Sequence, residues 1–172
     1  MRGLLAALLV AVAITGCVHN ASASNPTGSG SAGEGLNFQV KTWPDGADWN
    51  VADDRGSVVL LDVWATWCEP CRDSLPVYAE LAKQYGSRGL KVYALNIDED
   101  PNQITGFLQE TKVEVPILVD QNAVVAERVL KVQMMPTTFI LDRRGVVRFV
   151  HEGFAEDFLA KYQAEIEQLL NE

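Results

Sequence analysis

The chain has 172 residues, a formal net charge of −9 and 48% hydrophobic residues. That length suits one domain with enough apolar material for a sizeable core. The acidic balance, with no Lys/Arg cluster to offset it, excludes nucleic acid and anionic membrane surfaces as electrostatic partners.

Read in chain order, Arg2 is a short positive start and Leu4 to Ile14 an apolar run. The run falls short of the roughly 20 residues that span a bilayer, and it reads as a signal peptide over residues 1–16. It ends in Ile14-Thr15-Gly16-Cys17, which resembles a bacterial lipobox. The resemblance implies that Cys17 is lipidated. Each buried methylene adds about 0.8 kcal/mol, so several acyl chains would anchor the protein stably. Residues 17–35 would then comprise the lipidated cysteine and a flexible tether, since Val18 to Gly35 is rich in Asn, Ala, Ser, Gly and Thr.

A folded domain is expected over 36–172. Short strands are predicted at Phe38 to Val40 and Trp49 to Val51, with a turn at Asp53-Asp54-Arg55-Gly56. Val58 to Trp64 is apolar and β-branched apart from Asp62, the pattern of a central buried strand. Pro70 to Tyr85 reads as a helix stopped by Gly86 and kinked at Pro76. Leu90 to Ile97 is a strand, Pro101 to Glu110 a helix, Ile117 to Asp120 a short strand and Ala123 to Leu130 a helix. Thr138 to Leu141 and Val146 to Glu152 flank the turn Asp142-Arg143-Arg144-Gly145 as a hairpin. In the closing helix, Ala155 to Leu170, a single face carries Phe158, Leu159, Tyr162, Ile166, Leu169 and Leu170. These elements predict a three-layer α/β domain with a mixed central sheet flanked by helices.

Cys68 and Cys71 follow the central strand directly and open the helix. A helix N-terminus favours a thiolate, which makes Cys68 a nucleophile. Cys71, one turn on, is expected to be buried and to resolve the mixed disulfide. Pro70 in the first turn costs nothing, because its missing N–H would be unpaired there, and it stiffens the loop. Glu69 between the cysteines disfavours the thiolate and so argues for a reductant. Two other uses of such a pair are a zinc site and a structural disulfide. A zinc site needs four ligands, and His19 and His151 are the only histidines. A structural disulfide closing so small a loop constrains the unfolded chain little.

The stretch "LLDVWATWCEPC" looks like the thioredoxin signature. With "YALNIDED" and "MMPTTFILDRRGVV", the chain from about Leu36 onward resembles the membrane-tethered thioredoxin-like proteins of the TlpA/ResA type. The resemblance implies a thioredoxin-like fold and thiol–disulfide exchange, often in cytochrome c maturation or on other exported protein thiols. It implies a cis peptide bond before Pro136, which would set the Met135 backbone beside the cysteines to pair with a substrate. Trp64 and Trp67 are expected to wall the site, Trp67 on the substrate side. Asp62, expected beneath the cysteines, is the acid that takes the proton from Cys71. That group often carries a glutamate three residues after the second cysteine, where this chain has Ser74.

No metal or organic cofactor is expected, the redox group being the Cys68–Cys71 disulfide itself. Expected partners are protein thiols and disulfides, together with a membrane electron donor. The domain is expected to be a monomer held by its lipid in the bacterial cell envelope, facing the periplasm or extracytoplasmic space. The same fold also admits a thiol peroxidase and a copper(I) chaperone. A thiol peroxidase would place threonine three residues before the reactive cysteine, where Ala65 stands. A copper(I) chaperone would add a histidine to the two thiolates, and His151 is the candidate.

Overall fold

The computed structural model describes residues 33–155 and 157–172. The proposed signal, Cys17 and most of the tether lie outside the described residues. Seven strands form one mixed sheet in the order β2-β1-β5-β4-β3-β6-β7. They are β1 (Gln39–Trp43), β2 (Asp48–Asn50), β3 (Val58–Trp64), β4 (Leu90–Asn96), β5 (Ile117–Val119), β6 (Thr137–Leu141) and β7 (Val147–Glu152). The helices are α1 (Glu69–Tyr85), α2 (Gln103–Thr111), α3 (Val124–Arg128) and α4 (Phe158–Asn171).

β3 is the axis of the sheet. All seven of its residues are buried, because it pairs parallel with β4 and antiparallel with β6 while helices cover both faces. Its side chains alternate. Val58, Leu60 and Trp64 pack with Leu75, Tyr78 and Leu81 of α1, Ile104 and Phe107 of α2, and α4. Val59, Leu61 and Val63 face the opposite way, toward Phe38, Val40 and the α3 residues Val125 and Ala126. The expected three layers are therefore present.

The leading strands differ from their expected form. β1 runs on to Trp43 and turns through a cis Trp43–Pro44 bond and Gly46 into β2. That hairpin joins the sheet beside β5. The turn expected at Asp53-Asp54 is a 3-10 helix, Val51–Asp54, capped by the Asn50 carboxamide oxygen, which accepts from the Ala52 N–H at 2.8 Å. As expected, α1 ends at Tyr85 with Gly86 as its C-cap. That glycine stays right-handed and opens a 3-10 turn, and Gly89, at φ +104°, is the residue that reverses the chain. α1 continues through Pro76, which cannot donate to the Arg72 carbonyl. On α4 the buried stripe is Tyr162, Glu165, Ile166 and Leu169, while Leu159 turns outward, 39% exposed.

Candidate active site

Cys68 is the N-cap of α1, with extended backbone and no side-chain cap. Cys68 therefore stands at the positive end of the helix dipole, which favours a thiolate there. Pro70 occupies that turn. Cys68 and Cys71 are joined as a disulfide, with Cα atoms 5.3 Å apart. Cys68 retains 5% exposure and Cys71 none. Any partner thus meets the first sulfur and not the second.

The loop ahead of Cys68 is tied down by a residue the sequence reading passed over. Asp98, buried just past β4, accepts from the Thr66 N–H at 3.1 Å, the Thr66 hydroxyl at 3.2 Å and the Asn96 amide at 2.8 Å. It is the first acid in "DED", and nothing in that run marks it out from its two neighbours. Trp67 beside it is 67% exposed and walls a cleft of about 620 Å³ together with Asp98, Glu99, Gln103, Asn122 and Glu127. Trp64 is not part of that wall. It is fully buried and packs on Phe107 at 4.7 Å between ring centroids, because its place on β3 turns it into the core under α1 and α2.

Met135 and Pro136 are joined by a cis bond just ahead of β6. Thr137 pairs with Val63, so Pro136 stands level with the end of β3, where the cysteine loop begins. Met135 packs against the core that contains both cysteines, and Met134 is 51% exposed.

Glu69 begins α1 with its carboxylate in solvent, 3.8 Å from Arg72. Arg72 also pairs with Glu110 at 3.2 Å and lies over the Phe107 ring. Such exposed pairs contribute about 0–1 kcal/mol, so the influence of Glu69 on Cys68 is small. Ser74 is buried and donates to the Cys71 carbonyl at 3.4 Å.

Asp62 is fully buried, not solvent-facing. It lies between Leu60 and Trp64 on the side of β3 that α1 covers, and those two pack in the core that holds Cys71. The Thr138 hydroxyl donates to its Oδ1 at 2.9 Å, and its Oδ2 is buried without a hydrogen-bond partner among the described residues. Burial pushes the Asp62 carboxyl well above the ordinary carboxylate range, and the Thr138 bond pulls it partly back. His151 is engaged elsewhere. Its Nε2 meets Glu165 Oε2 at 2.5 Å, and its ring packs edge-on against Tyr162 at 4.6 Å.

A thioredoxin-like sheet with a Cys-x-x-Cys disulfide at the turn from its central strand into a helix defines the thiol–disulfide oxidoreductases. Residues 34–150 match the model of the AhpC/TSA family, and the chain belongs to that family. It is 36% identical over 119 residues to thioredoxin-like protein YneN of Bacillus subtilis strain 168, covering 67% of this chain and 68% of that one. It is 28% identical over 161 residues to thiol-disulfide oxidoreductase ResA of the same organism, covering 93% and 88%. Among solved structures, a protein from Chlorobium tepidum described as thiol:disulfide interchange protein DsbE is similar with a TM-score of 0.73. That pair is 31% identical over 80% of this chain and 95% of the other. The resemblance to the ResA type is borne out, and the chain is a thiol–disulfide oxidoreductase. No helix among the described residues is long and apolar enough to cross a membrane.

Proposed function

We propose that the domain is an extracytoplasmic reductase of protein disulfides, held to a membrane through lipid on Cys17. In the dithiol form the Cys68 thiolate attacks a substrate disulfide. One substrate sulfur leaves as a thiolate, and the other stays bonded to Cys68. Asp62 takes the proton from Cys71, whose sulfur then attacks Cys68 and expels the second substrate thiolate. The substrate gains two electrons and the domain is left with its own disulfide. A membrane dithiol donor restores it, since an oxidising compartment would not. Met135 offers backbone to an extended substrate segment ahead of Pro136, and Trp67 covers its apolar side. Substrates are disulfides of exported proteins, apocytochromes c among them.

The observation that carries this reading is the asymmetry of the pair. Cys68 sits at the helix tip with slight exposure, while Cys71 is inaccessible in a core that also holds a buried acid. Equilibration with glutathione buffers tests the direction. A reduction potential well below about −120 mV supports a reductase, and a value near it makes the domain an oxidant.

A further inference from the structure

Asp62 does not stand alone. Thr138 pairs with it across β3 and β6, and His151 pairs with Thr138 across β6 and β7. These three residues form one polar row across neighbouring strands on the face that α1 and α4 cover. The helices above supply a matching layer. Tyr78 of α1 meets the Thr138 hydroxyl at 2.7 Å, and Tyr162 of α4 meets Tyr78 at 3.2 Å. Tyr78, Thr138 and Tyr162 are all fully buried.

The order of protons in this chain follows from valence. An ionised Asp62 only accepts, so Thr138 spends its one proton on Oδ1. Thr138 must then accept from Tyr78, and Tyr78 from Tyr162. Each bond polarises the next toward the carboxylate. The groups that face Asp62 are Tyr78 from α1, Tyr162 from α4 and Thr138 from β6, while its partner on β4 is the apolar Ala94 and Cys71 of α1 lies in the same core. His151 and Glu165 lie one layer further out, against Tyr162. Among the described residues none of these nearest groups is a cation, and the hydroxyl dipoles are what faces the anion.

We propose that Thr138 and Tyr78, with Tyr162 behind them, are positioning residues that set the proton affinity of Asp62 and thereby the pH at which Cys71 can resolve a mixed disulfide. This rests on the reading of Asp62 as the acceptor of the Cys71 proton. Removing a donor from the chain destabilises the carboxylate, so Asp62 holds its proton to higher pH. The loss is largest at Thr138, which touches the carboxylate, and smaller at Tyr78, which acts through it.

The test is a pH titration of the Asp62 carboxyl carbon by NMR in the full disulfide-form chain. Thr138→Val should raise the midpoint by about one pH unit, tenfold in proton affinity. Tyr78→Phe should raise it by less, and Thr138→Ser, which keeps the hydroxyl, should leave it near wild type. Should Thr138→Val fail to fold, Tyr78→Phe decides alone. An unmoved or lowered midpoint in Tyr78→Phe, or in a folded Thr138→Val, overturns the proposal. The underlying reading is tested apart, by the pH profile of insulin reduction in Asp62→Asn. An unchanged profile there removes Asp62 as acceptor, whatever sets its acidity.

Discussion

Reducing the Cys68–Cys71 bond should destabilise the domain, and the amount follows from the site. The bridge joins residues three apart and so closes a loop of four. Loop closure of that size removes about 6 cal/mol/K from the unfolded chain, or about 2 kcal/mol at 25 °C in favour of the disulfide form. The dithiol form recovers part of this, because the helix N-terminus favours a Cys68 thiolate by about 0.3–1 kcal/mol. Glu69, in solvent and paired with Arg72, changes that balance little. The net is about 1–1.5 kcal/mol for the disulfide form, a fall in Tm of about 3–5 °C on reduction for a domain of this size. Thermal unfolding of the full chain with and without excess reductant, followed by circular dichroism, measures it. By linkage, the same difference makes the folded pair about 20–30 mV more reducing than the unfolded pair. A reduced form that melts higher would mean that thiolate stabilisation exceeds loop closure, and the assignment as a reductase would fail.

Other outcomes follow from single residues. Asp62 holds its proton more tightly in the folded state than in the unfolded chain, so its contribution to stability is complete below the usual carboxylate range and is lost as pH rises through the elevated folded value. Urea titrations should therefore show stability falling across that window, each unit of elevation contributing about 1.4 kcal/mol, and Asp62→Asn should flatten the fall. A wild-type slope retained in Asp62→Asn would place the titrating group elsewhere. Asp98→Ala leaves the half-buried Thr66 N–H and the buried Asn96 amide without their acceptor and should cost about 1–3 kcal/mol in urea unfolding, with slower insulin reduction; a neutral effect would show that the loop holds without it. Trp67→Ala removes a largely exposed ring, so stability should change by no more than about 0.5 kcal/mol. Its kcat/KM for a protein disulfide should fall about tenfold, about 1.4 kcal/mol of lost contact, while reaction with dithiothreitol is unchanged; equal losses on both would remove Trp67 from substrate contact.

Much of the site was legible because its chemistry is local. Cys68, Pro70 and Cys71 declare a helix start within four residues, and the run from Val58 to Trp64 declares a buried strand with one acid inside it. Burial of Asp62 follows from period two alone, since neighbours on its face are Leu60 and Trp64. The same rule puts Trp64, on the strand, in the core and not at the site wall where it was expected beside Trp67. The hydroxyl layer was not legible. Tyr78, Thr138 and Tyr162 meet across separations of 60 and 84 residues, and each by itself reads as an ordinary core position. Asp98 was hidden for a similar reason, because its partner Thr66 lies 32 residues away. The β1–β2 hairpin was read as two short isolated strands, since the turn that joins them depends on a cis proline and a left-handed glycine.

The exchange chemistry depends on which sulfur a partner can reach. Mixing the Cys71→Ser chain with a protein disulfide and mapping the adduct by mass spectrometry tests this most directly. A stable mixed disulfide at Cys68, with none formed by the Cys68→Ser chain through its remaining Cys71, is the expected result. An adduct at Cys71, or equal trapping by both variants, would contradict the account.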